Sequence, residues 1–104
     1  MLTKSVTLSN PIYEILQQTT GDTDINSALS KILKDFFRLK TGALREQIAA
    51  YEKKYGMSFS EFEKACKDGG IEDPNSYKVE KDNWDWEFSI TELEDLMEYE
   101  KWLS

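Results

Sequence analysis

Between Asp24 and Tyr55 the apolar positions recur every three or four residues. Ile25, Ala28, Leu29, Ile32, Leu33, Phe36 and Phe37 share one side of a helix, and after Thr41 and Gly42 the same spacing resumes at Leu44, Ile48, Tyr51 and Tyr55. Glycine in a helix interior costs about 1 kcal/mol relative to alanine, so Gly42 either bends one long helix or separates two stacked ones. Ahead of this seam, Leu2, Lys4, Val6 and Leu8 alternate with Thr3, Ser5 and Thr7, the period of a short strand with one buried side. A single strand leaves its own backbone groups unpaired. No second strand lies nearby in sequence, so the expected pairing is with the same strand of a twin subunit.

The punctuation between these elements is polar. Asn10 caps a first helix with Pro11 at its first position, Ile12, Ile15, Leu16 and Thr19 line one side of it, and Gly21 ends it. Asp24, or Thr23 beside it, caps the long seam. Gly56 closes that seam, Ser58 with Glu61 forms a capping box flanked by Met57 and Phe62, and Gly69 and Gly70 stop the short helix that follows. Residues 71–82 read as a linker with a turn at Asp73, Pro74 and Asn75. Trp84, Trp86, Phe88 and Ile90 then alternate with Asp85, Glu87, Ser89 and Thr91, a strand-like pattern. A second capping box, Ser89 with Glu92, opens a last helix carrying Leu93, Leu96, Met97 and Leu103. The prediction is a mainly α fold with one short N-terminal strand. It has four parts: a strand-helix-helix dimerisation region at 1–55, a capped short helix at 56–70, a linker at 71–82 and an acidic, aromatic arm at 83–104.

The first 40 residues, with their order of strand, helix, turn and longer helix, resemble the ribbon-helix-helix fold of bacterial and archaeal repressors and antitoxins. That resemblance implies an intertwined homodimer with additional C-terminal helices, and promoter DNA as a partner. The outward side chains of the paired ribbon, Thr3, Ser5 and Thr7, would read the major groove. Val6 and Leu8 would enter the dimer core, to which the seam adds Leu29, Ile32 and Phe36. Asp22 and Asp24 stand at the turn where the family clamps a phosphate on helix amides, and carboxylates there oppose one. The segment from Tyr51 to Phe62, YEKKYGMSFSEF, also looks like a stretch of small antitoxins encoded beside a toxin.

Charge changes the picture of the partner. The chain has 104 residues, a formal net charge of -7 and no histidine, which disfavours non-specific nucleic-acid binding. Residues 1–70 carry ten basic and nine acidic side chains, whereas residues 71–104 carry three and eleven. The surplus of acid sits with the tryptophans. Trp84, Trp86, Phe88, Leu93, Leu96, Met97 and Trp102 are therefore the expected partner-binding residues, with interleaved carboxylates suited to a basic, RNase-type toxin. The competing expectation packs the same tryptophans back onto the long helix.

Chemistry is sparsely provided. Cys66 is alone, so it forms no intrachain disulfide or cysteine metal site, and it reads as a small half-buried residue. Without histidine, a glycine-rich phosphate loop or a nucleophile motif, no catalytic, cofactor-binding or metal-binding residue is expected, nor a small-molecule substrate. No apolar run suggests a signal peptide or membrane span, so a cytoplasmic protein is expected. Three binding classes remain: an antitoxin, a regulator without a toxin, and a structural or adaptor dimer that binds no DNA.

Overall fold

The computed structural model describes residues 3–103; Met1, Leu2 and Ser104, and with them the expected start of the strand at Leu2, lie outside the described residues. Four helices follow one another: α1 (Asn10–Thr20), α2 (Ile25–Tyr55), α3 (Phe59–Asp68) and α4 (Tyr77–Trp102). Each start has a side-chain cap. Ser9 accepts from the Ile12 amide, Asp24 from Ser27, Ser58 from Glu61, and Ser76 from Val79. The α1 cap is thus Ser9 and not Asn10. The Ser58–Glu61 capping box is closed both ways, with bonds of 3.2 and 3.0 Å. Gly21 and Gly56 both end their helices at a φ of 67°, a left-handed backbone that other residues adopt only with strain. Their amides donate back to Gln17 and Glu52.

Helix α2 is the spine. It runs unbroken through Gly42, where an added Cβ would meet nothing within 4 Å, so the helix is one and not two, and no close approach explains that glycine. At 31 residues it spans about 46 Å. Helix α1 folds back onto its N-terminal part, with Leu16 and Ala28 buried and Lys31 paired to Asp22 at 3.1 Å. Helix α4 runs antiparallel along the rest: Asp82 lies by Tyr55, Trp86 by Tyr51, and Glu92 by Lys40. The core of this pair has an aliphatic section, Phe37, Leu44 and Leu96 with Leu93 and Leu103 against them. Its other section is aromatic and is closed by α3.

The ribbon-helix-helix expectation is overturned. Among the described residues there is no strand, and Thr3–Ser9 runs as irregular backbone into the cap of α1. A strand exists by pairing, and a short alternating run specifies its partner poorly. The chain's other alternating run does not answer it either. Trp84 to Thr91 is wound into the middle of α4, where Ser89 Oγ donates to the Asp85 carbonyl at 2.9 Å and caps no helix. Helix α4 also begins at Tyr77, within the stretch read as linker. No helix among the described residues is long and apolar enough to cross a membrane.

Candidate functional site

Helix α4 carries apolar side chains on two opposite faces. At about 100° per residue, Trp86, Ser89, Leu93 and Leu96 point to one side, while Tyr77, Trp84, Phe88, Thr91, Tyr99 and Trp102 fall within roughly 40° of a line down the other. The inner face is packed. Trp86 has no exposed surface. It stacks on Tyr51 at 5.6 Å and on Tyr55 at 6.0 Å, meets Phe59 edge-on at 5.2 Å, and lies 5.1 Å from the equally buried Phe62. Its indole N–H is buried without a hydrogen-bond partner, which costs about 1–3 kcal/mol against the gain of enclosing so large a ring.

The outer face is bare. Tyr77, Trp84, Phe88 and Trp102 are 78, 67, 67 and 75% exposed. Trp84, Glu87, Phe88 and Thr91 line a shallow depression, and Tyr99 meets Trp102 edge-on at 5.2 Å. The helix bears nine acidic and three basic side chains, a net of -6. Asp82, Asp85, Glu92 and Glu98 are held by Lys54, Lys81, Lys40 and Lys101. Glu80, Glu87, Glu94, Asp95 and Glu100 have no ion-pair partner among the described residues. Bare aromatic surface is therefore edged by carboxylates whose charge is uncompensated.

The expected partner-binding residues thus divide. Trp86 and Leu96 are core and Leu93 is half-buried, while Trp84, Phe88, Met97 and Trp102 are exposed. Tyr77 and Tyr99 were missed, and a helical reading of spacings seven, four, eleven and three from Tyr77 would have found both. Elsewhere the structure gathers less. Thr3, Ser5, Thr7 and Val6 are exposed on the irregular N-terminal segment and Leu8 is half-buried; Leu29 is half-buried, and Ile32 and Phe36 are exposed on α2. At the start of α2, Asp24 caps Ser27, and the Lys31 ammonium beside Asp22 holds that carboxyl below its ordinary range. Burial pushes the Cys66 thiol up, away from a reactive thiolate. Among the described residues no three acids or cysteines gather as a metal-ligating group.

A partly buried polar pin fixes α4 at the aromatic end. Asp82 accepts from Lys54 Nζ and Tyr55 Oη, both at 2.5 Å. Burial alone would raise the Asp82 carboxyl, but these two donors hold it below its ordinary value. Tyr55 is pushed up, first by burial and then by the carboxylate it serves. Signs follow from linkage. The Asp82 contribution is present above pH 3.8, the ordinary carboxyl value, and is lost as pH falls through the lower folded value. The Tyr55 contribution is present below pH 10.0 and is lost as pH rises beyond it, because the unfolded phenol ionises first. Tyr55→Phe should cost about 1.5 kcal/mol near neutrality, the scale of a hydrogen bond to a charged group. Urea unfolding should show the gap between variant and parent narrowing by about pH 11. A gap that stays constant would remove Tyr55 from the alkaline loss.

No protein-family model matches the chain, and no characterised protein or solved structure proves similar to it. Function has to be read from the faces themselves.

Proposed function

We propose that the chain is a binding protein, not an enzyme, that captures a basic protein on the outer face of α4. The observation that carries this is the line of bare aromatics, Tyr77, Trp84, Phe88 and Trp102, on the side of α4 turned away from α2. Aromatic anchors supply most of the energy at interfaces, and a soluble helix rarely leaves so many in water unless something covers them. The carboxylates around them, Glu87, Glu94 and Asp95 among them, would draw in a cationic groove and stand in for the phosphates of its nucleic-acid substrate. An antitoxin that neutralises a small basic toxin of the RNase type has this chemistry. The rigid α4 presents the anchors at fixed spacing, so little entropy is lost on docking.

Calorimetric titration with the purified product of the adjacent gene tests the proposal. Trp84→Ala should weaken binding by at least about 30-fold, the scale of an interface hot spot, and affinity should fall as salt is raised. Unchanged binding by both Trp84→Ala and Phe88→Ala would overturn the site. A neighbouring gene that encodes no small basic protein would overturn the toxin.

A further inference from the structure

A second bare face lies at the other end of the molecule. On α2, Ile32, Phe36 and Leu39 follow at spacings of four and three residues, and they are 41, 51 and 65% exposed. On α1, Ile12 and Ile15 are likewise in water. Within this hairpin the buried apolar side chains between Asn10 and Phe36 are only Leu16 and Ala28. An 11-residue helix such as α1 is marginal in water unless packing supports it, and so small a core supplies little.

The area at stake is large. A compact monomer of 12.1 kDa exposes about 6,000 Å², whereas this chain exposes 8152 Å². Its radius of gyration is 19.8 Å, against about 13 Å for a compact chain of this length. The excess of roughly 2,000 Å² is more than twice the 800 Å² or so that each partner contributes to a standard interface. One docked protein on α4 therefore leaves enough for another contact.

Charge decides the occupant of each face. A two-fold contact sets a surface against its own copy, so a face with a net charge repels itself. Helix α4 at -6 is unsuited to that. Residues 10–39 carry Glu14, Asp22, Asp24 and Asp35 against Lys31, Lys34 and Arg38, a net of only -1. We infer that a second copy of this chain docks on the α1–α2 hairpin, burying Ile12, Ile15, Ile32, Phe36 and Leu39 in a helix-to-helix dimer. The contact uses no paired strands, and it leaves the α4 face open to a basic partner.

Sedimentation equilibrium and light scattering on the full chain test it. The expected result is twice the mass of one chain at micromolar concentration. Phe36→Glu should raise the dimer dissociation constant by at least about 100-fold, since it places two like charges in the contact. Phe88→Glu, on α4, should leave the dimer as it was. A monomer at all concentrations up to about 0.1 mM, a dimer unaffected by Phe36→Glu, or one broken instead by Phe88→Glu would each overturn the proposal. Should Phe36→Glu fail to fold, the parent's melting temperature decides: an increase with protein concentration supports folding coupled to this dimer, and a constant value overturns it.

Discussion

A chain ending at Asp73 is expected to lose cooperative folding altogether. The cut removes α4, and with it Trp86 and Leu96, the side chains on which both core sections close. Phe62, Tyr51 and Tyr55 would lose the ring they surround, and Phe37 and Leu44 would lose Leu96. Aromatic side chains bury about 150–250 Å² each, so a few of them amount to most of what a domain this small has to hold it together. The lost contacts include the pin of Asp82 to Lys54 and Tyr55. Circular dichroism should show much less helix than α1 to α3 would give if intact, and heating should give a broad, non-cooperative change. A sharp melt with the helix content of three intact helices would mean that the last third is a detachable arm after all.

Such an arm was a natural reading of residues 83–104, and the reason it misleads lies in two tryptophans. Trp84 and Trp86, two residues apart, would share one face of a strand but project to opposite sides of a helix. Seen with Phe88 and Ile90, the pattern reads as alternation. In the helix, Trp86 and Ile90 turn inward while Trp84 and Phe88 turn outward, so two interleaved helical stripes mimic a period of two. Helix ends were far more legible. Gly21, Asp24, Gly56 and the Ser58–Glu61 pair act through backbone geometry and bonds three residues long, which need no tertiary partner. The seam of α2 was legible only in part. Phe37, Leu44 and Tyr51 belong to the side that meets α4, but Ile32, Phe36 and Leu39 form a second line that periodicity alone cannot separate from the first. The segment from Thr3 to Leu8 could not be settled from its own residues, because a strand is decided by what lies beside it.

The same two tryptophans give the sharpest contrast. Trp86→Ala should destabilise the chain by about 3–5 kcal/mol, the range for removing a fully buried large aromatic that leaves a cavity. Native domains hold only about 5–15 kcal/mol in total, so this variant is near the limit of folding. Relieving the unpartnered indole N–H recovers part of the loss, which places the figure toward the lower end of the range. Trp84→Ala, two residues away and 67% exposed, should shift stability by no more than about 0.5 kcal/mol. Urea unfolding of both variants, followed by helix signal, measures the difference directly. Binding should then invert the order. Trp84→Ala stays folded and loses the partner, while Trp86→Ala binds normally in whatever fraction of molecules remains folded. Equal costs to stability would mean that the two rings share one environment, and neither the enclosed core on the inner face of α4 nor the bare stripe on its outer face would survive that result.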